Sequence, residues 1–159
     1  ASLTAMLSTG GQAPDFTLTG SNGEPVTLSS FRGTKNVVIA FFPLAFSGIC
    51  TKQLTDIGSH EAQYSGAETQ VLGISVDSHH AQAAFAASLG LRKTLLLADF
   101  NPRGEVAQSY GVYLAESGFA ARASFVVDKQ GVVRHADVPP PRTIPDEAAY
   151  FTALASCNI

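Results

Sequence analysis

The run Val37-Val38-Ile39-Ala40-Phe41-Phe42, entered through Asn36, is wholly apolar and stops abruptly at Pro43. It is β-branched at Val37, Val38 and Ile39, and a run of this length suits a strand buried on both faces. Such a strand needs a covering layer on each side, so it commits the chain to a sheet with helices packed against both faces. Pro43-Leu44-Ala45-Phe46-Ser47-Gly48-Ile49-Cys50 follows at once: a short turn, then a helix starting near Ser47 with Cys50 in its first turn. A thiol in that position meets unpaired backbone N–H groups and the positive end of the helix dipole, which favour thiolate over thiol. Buried free cysteines are often inert small hydrophobes. The turn, the hydroxyl three residues upstream and the helix start set Cys50 apart.

The other elements follow from pattern and punctuation. Residues 1–12 read as a loose lead-in. Segments 15–19 and 24–28 alternate around Gly20-Ser21-Asn22-Gly23 and predict a hairpin. Leu54, Ile57 and Tyr64 predict one amphipathic helix from Cys50 to about residue 65, closed near Gly66. Val71–Val76 reads as a second buried strand, and Asp77-Ser78 supplies cap chemistry for a helix with Ala81, Ala84, Phe85, Ser88 and Leu89 on one face. Gly90 closes that helix. A third strand over 94–98, a short helix over 103–110 and a hairpin of 124–127 with 132–135 come next. Pro139-Pro140-Pro141 is expected to be extended. A final helix begins at Pro145-Asp146-Glu147, with Tyr150, Phe151 and Leu154 on its apolar side and Cys157 just past its end. This order predicts an α/β fold with a central mixed sheet, helices on both faces and an N-terminal β-hairpin.

With 159 residues and no linker or repeat, the chain is expected to be one domain over 1–159. A net charge of −3 gives no reason to expect nucleic acid or an anionic membrane as a partner. No apolar run is long enough to span a bilayer, and no signal peptide is visible. The two cysteines, Cys50 and Cys157, form no CxxC, which fits neither a disulfide framework nor a zinc site, so a cytoplasmic location is expected. His79 and His80 point about 100° apart on a helix, and His60 and His135 lack ligands at suitable spacing, so neither a metal nor another cofactor is expected.

Pro43, Ser47 and Cys50 in the spacing PxxxSxxC, followed by Arg122-Ala123-Ser124-Phe125-Val126-Val127-Asp128 where an arginine opens a strand, resemble the peroxiredoxin family. Ala13-Pro14-Asp15-Phe16, Gly73-Ile74-Ser75-Val76-Asp77 and Tyr110-Gly111-Val112 frame these segments in the same way, and the resemblance covers roughly residues 10–155. Among the branches, the bacterial one-cysteine alkyl hydroperoxide reductase E-like and bacterioferritin-comigratory-like ones are the most similar. The resemblance implies a thioredoxin-like fold and a thiol-dependent peroxidase acting on hydrogen peroxide or organic hydroperoxides. It implies Cys50 as the peroxidatic nucleophile, oxidised to a sulfenic acid, with Arg122 as the cation beside it. Ser47 would hydrogen-bond the peroxide, Pro43 would shield the thiolate, and the N–H groups of Ile49 and Cys50 would complete the cradle. Implied partners are a thioredoxin-like, glutaredoxin-like or low-molecular-weight thiol reductant and a second copy of the chain in a homodimer.

The chain departs from the family pattern at several positions. Ser47 stands where threonine is commoner. Gln53 stands where glutamate is frequent, so an ion pair is expected to be lost there. Thr55 replaces one branch's second cysteine, and no Val-Cys-Pro segment occurs. Cys157 is either a resolving cysteine, within the chain or across a dimer, or a tail thiol without a role. Two further readings compete: a thioredoxin-type disulfide reductase, against which Ser47-Gly48-Ile49-Cys50 lacks the first cysteine, and a peroxide sensor that uses Cys50 oxidation to control a protein partner.

Overall fold

The structure, a computed structural model, describes residues 6–157. Residues 1–5 of the expected lead-in lie outside them. β1 (Thr17–Gly20) and β2 (Pro25–Thr27) form the expected antiparallel hairpin, and a 3₁₀ turn over Leu28–Phe31 leads on to β3 (Asn36–Phe41). β4 (Thr69–Ser75) pairs in parallel with β3, and β5 (Leu95–Ala98) in parallel with β4. β6 (Tyr113–Leu114) and β7 (Phe119–Ala120) make a separate two-stranded ribbon, too short for any periodicity to announce it. β8 (Ser124–Val127) and β9 (Val133–Asp137) extend the main sheet antiparallel beyond β3. The order is β2-β1-β5-β4-β3-β8-β9, a mixed seven-stranded sheet with β3 inside it.

The period of two along β3 divides the core. Val38, Ala40 and Phe42 face a cluster containing Leu54, Ile57, Phe85 and Leu154, whereas Val37, Ile39 and Phe41 face Tyr110, Phe125 and Val106. Accordingly α1 (Gly48–Ser59), α2 (Glu61–Gly66), α3 (His79–Leu89) and α5 (Glu147–Cys157) cover one face. The short α4 (Glu105–Ser109), with the segments before β1 and β8, covers the other. Both faces carry helix, as expected, but unequally.

Four details differ from the sequence reading. The single helix expected to reach residue 65 breaks at His60, where φ is −115° and the N–H turns back to the Ile57 carbonyl. The break lets Glu61 begin α2 with its carboxylate accepting the N–H groups of Arg92, Lys93 and Thr94 at 3.2, 2.9 and 2.6 Å. α3 buries Gln82, Phe85 and Ala86, while Ala84 and Ser88 are exposed. Gln82 fixes that rotation, because its Nε2 donates to Ser75 Oγ and to the Leu97 carbonyl beneath the helix. The proline run is not simply extended: a turn over Pro140–Thr143 closes it, with Arg142 at φ +62°. Cys157 is the last residue of α5 rather than beyond it.

Burial of the Glu61 carboxyl opposes ionisation, but the N–H donors outweigh it and hold the group below its ordinary 4.5. A carboxylate lowered on folding contributes stability above its unfolded value and loses it as pH falls through the folded one. Glu61→Ala is therefore expected to cost about 1–3 kcal/mol near neutral pH. The gap between variant and parent should narrow below about pH 4.5, as urea titrations on either side of that value will read.

Candidate active site

β3, β4 and β5 run parallel, so the loops leaving them gather at one edge of the sheet, the usual place for ligands in open α/β sheets. At the end of β3, Pro43 halts the strand, and Phe46 adopts a left-handed φ of +66° to turn the chain into α1. Two side chains hold this turn. Asp77, at the end of β4, accepts the Ala45 N–H at 2.8 Å and is itself held by Ser75 Oγ at 2.6 Å. Ser47 Oγ donates to the Leu44 carbonyl at 2.9 Å. Ser47 thus occupies the cap position of α1 without capping it through its side chain. Its hydroxyl is exposed and folds the turn instead.

Cys50 sits in the third position of α1, fully buried at 0% exposure. N–H groups in the first turn of a helix have no intrahelical acceptor, so those of Ile49 and Cys50 leave positive potential beside the sulfur. Arg122 arrives from the far side of β3. The antiparallel register of β8, with Ala40 opposite Ser124, places it next to the end of the strand, and the Phe41 N–H donates to the Ala123 carbonyl at 2.8 Å. Its Nη1 donates to Cys50 Sγ at 3.2 Å and to Gln53 Oε1 at 2.7 Å. Gln53, one turn beyond Cys50, is 2% exposed, and its Nε2 has no hydrogen-bond partner among the described residues.

The structure thus brings together Cys50, Arg122, Pro43 and Ser47, the residues singled out from sequence. Gln53 loses only the charge of a glutamate there and keeps the hydrogen bond. Asp77 was read as cap chemistry and as part of a segment framing the motif, but not as a holder of this turn. Its position at the end of the second buried strand, on the same edge as Cys50, was the signal for its role in the turn.

Residues 9–136 match the AhpC/TSA family. The chain belongs to that family, the peroxiredoxins. It is similar to alkyl hydroperoxide reductase E of Mycobacterium tuberculosis, with 40% identity over 151 residues, 95% of this chain and 98% of the relative. Among solved structures, AhpC of Enterococcus faecalis shares 26% identity at a TM-score of 0.85, covering 97% of this chain and 93% of the other. Peroxidoxin BcpB of Mycobacterium tuberculosis shares 28% identity at a TM-score of 0.79, covering 94% and 96%. The fold is therefore thioredoxin-like, and the chain is a thiol-dependent peroxidase, an oxidoreductase.

Cys157 lies elsewhere in this peroxiredoxin. Burial and the Asp128 carboxylate push its thiol up, with Arg134 pulling the other way, which places it near Asp128 just after β8. From Ser124, opposite the Cys50 end of β3, to Asp128 is four strand residues, about 13 Å at roughly 3.3 Å each. A disulfide joins Cα atoms only about 4.4–6.8 Å apart. In this conformation both thiols are free, with Cys50 in the first turn of α1 and Cys157 at the C-terminal end of α5, both against the same core cluster.

Proposed function

We propose that Cys50 is the peroxidatic nucleophile and that the bond from Arg122 to its sulfur is the observation that carries this reading. The thiolate attacks the terminal oxygen of the hydroperoxide. An S–O bond forms, the O–O bond breaks, and the departing alkoxide or hydroxide takes a proton to leave as alcohol or water. Sulfur is oxidised to the sulfenic acid and the peroxide is reduced by two electrons. The guanidinium supplies permanent charge and fixed donors for the thiolate and then for the negative charge growing on the leaving oxygen. The N–H groups of Ile49 and Cys50 add fixed dipoles, and Gln53 keeps Arg122 aimed without neutralising it. Pro43, which offers no N–H, walls the sulfur from water. Ser47, once its hydroxyl leaves the Leu44 carbonyl, reaches the peroxide.

Recycling falls to an outside thiol. One thiol condenses with the sulfenic acid to a mixed disulfide and water, and a second thiol displaces Cys50 as the free thiol. The separation of Cys157 from Cys50 supports this one-cysteine cycle over an internal disulfide. Leu44, Phe46 and Phe100, exposed at 36%, 57% and 56%, lie on loops at the same edge of the sheet and offer a face for a homodimer. No helix among the described residues is long and apolar enough to cross a membrane, and two free thiols suit a reducing cytoplasm.

Intact masses taken after one equivalent of hydrogen peroxide test the cycle. The expected product gains one oxygen on Cys50 and leaves Cys157 free. A loss of two hydrogens, or a linked dimer through Cys157, would replace the one-cysteine cycle with a two-cysteine one. Repeated turnover on adding a thiol separates the enzyme from a sensor that stops after one equivalent.

A further inference from the structure

Beneath α3, a chain of polar groups leads from β5 across the end of β4 to the turn that carries Cys50. Its inner members, Gln82 and Ser75, are 0% and 1% exposed. The Leu97 carbonyl only accepts, so the nitrogen of the Gln82 carboxamide is the atom that faces it, at 2.8 Å. The same Nε2 gives its second N–H to Ser75 Oγ at 2.7 Å. The Ser75 hydroxyl has one proton, and it goes to Asp77 Oδ2 at 2.6 Å. That oxygen also accepts the Ala45 N–H at 2.8 Å. From Gln82 to Asp77 every donor points one way, and the chain ends on the turn before α1. Gln82 Oε1 has no hydrogen-bond partner among the described residues, so both bonds of the carboxamide run through its nitrogen. Packing alone gives no reason for this side chain, since an apolar one of the same length would fill the space without burying an unpartnered oxygen.

The same face of α3 meets the turn a second time. Phe85, fully buried and one helical turn beyond Gln82, packs its ring 6.0 Å from that of Phe42 and 4.9 Å from that of Phe46, centre to centre. These two residues flank the turn, and Phe46 holds the left-handed φ of +66°, which a non-glycine residue keeps only where its surroundings enforce it. We propose that Gln82 is a positioning residue for peroxide reduction: through Ser75 and Asp77 it fixes the turn that presents Cys50 Sγ to Arg122, 3.2 Å away. This rests on Cys50 and Arg122 acting as described above. Gln82 touches neither sulfur nor oxidant, so breaking the chain costs aim alone. A displacement of about 1 Å at a reacting atom can cost about 10²-fold in rate. Cys50 is the group that moves, so the loss is the same for a small hydroperoxide and a bulky one.

Two variants of the full chain test it. Gln82→Met keeps the length of the side chain and removes both donors, and Ser75→Ala cuts the chain one link nearer the turn. Each is expected to lower the second-order rate constant for oxidation of Cys50 about 10–100-fold, equally for hydrogen peroxide and cumene hydroperoxide. The double variant should stay within about twofold of the slower single one, because links of one chain fail together. Exchange of the Ala45 amide hydrogen should rise about tenfold more than that of Ile74 within β4. Glu61→Ala is the control for stability: its carboxylate holds the N–H groups just before β5, at the edge away from Cys50. It should melt earlier in urea yet oxidise within about twofold of the parent. Rates within twofold of the parent in both Gln82→Met and Ser75→Ala overturn the proposal. Equal slowing in Glu61→Ala, losses that multiply in the double variant, or slowing without faster exchange at Ala45 overturn it too. Should Gln82→Met fail to fold, Ser75→Ala decides by the same rate and exchange criteria. A parent protein that does not consume hydrogen peroxide would instead overturn the role of Cys50, so the two failures are told apart.

Discussion

Cys50→Ser is expected to abolish peroxide consumption while leaving the fold intact. A serine hydroxyl is not ionised at neutral pH, and its oxygen does not accept an oxygen atom from a peroxide as sulfur does. The residual rate should be the uncatalysed one, a fall of about 10⁴-fold or more, in line with the removal of other covalent nucleophiles. Stability should change little. Serine is close to cysteine in size, and the buried hydroxyl would still find Arg122 Nη1, which lies 3.2 Å from the present sulfur. Peroxide consumption together with a thermal melt reads both halves. An active Cys50→Ser would transfer the chemistry to Cys157, the other free thiol of the described residues.

Arg122→Ala is expected to slow oxidation of Cys50 about 10²–10³-fold, the range seen when one preorganised donor to a developing oxyanion is removed. The loss has two parts. The attacking sulfur loses the guanidinium that donates to it, and the leaving oxygen loses its cation. Gln53 also suffers, because its Oε1 would join its Nε2 as a buried polar atom without a partner. That orphaning should cost about 1–3 kcal/mol of stability, visible in urea titration. Arg122→Lys should restore only part of the rate. An ammonium restores charge, but it lacks the planar fork that lets one guanidinium address sulfur and carboxamide together. Stopped-flow oxidation with hydroperoxides of different leaving-group acidity separates the two parts. A rate within threefold of the parent in Arg122→Ala would remove the cation from the mechanism.

What the sequence made legible was what local pattern controls. Val37 to Phe42 could only be an inner strand, and the proline, hydroxyl and thiol after it could only lie at the edge where that strand ends. Arg122 was legible through the resemblance alone. Its distance from Cys50, 72 positions in the chain, depends on the antiparallel register of β8, which no local window contains. The misreadings share a cause. The break at His60 and the rotation of α3 are set by partners far along the chain, the N–H groups of residues 92–94 for Glu61 and the Leu97 carbonyl for Gln82. Periodicity cannot register such bonds. Cys157 stayed open for the same reason, since a position in the sequence carries no distance.

Cys50 is fully buried among the side chains of β3, α1 and their neighbours, which suits a small peroxide group but leaves no room for the thiol of a reductant. The two halves of the cycle therefore ask opposite things of the first turn of α1: closed for oxidation, frayed for reduction. Tightening that turn would yield a protein that captures oxidant eagerly and then stalls, while loosening it would speed recovery and dull the capture. On the proposed cycle, throughput would rest on the tenacity of a single helical turn, and Asp77 grips the loop that leads into it.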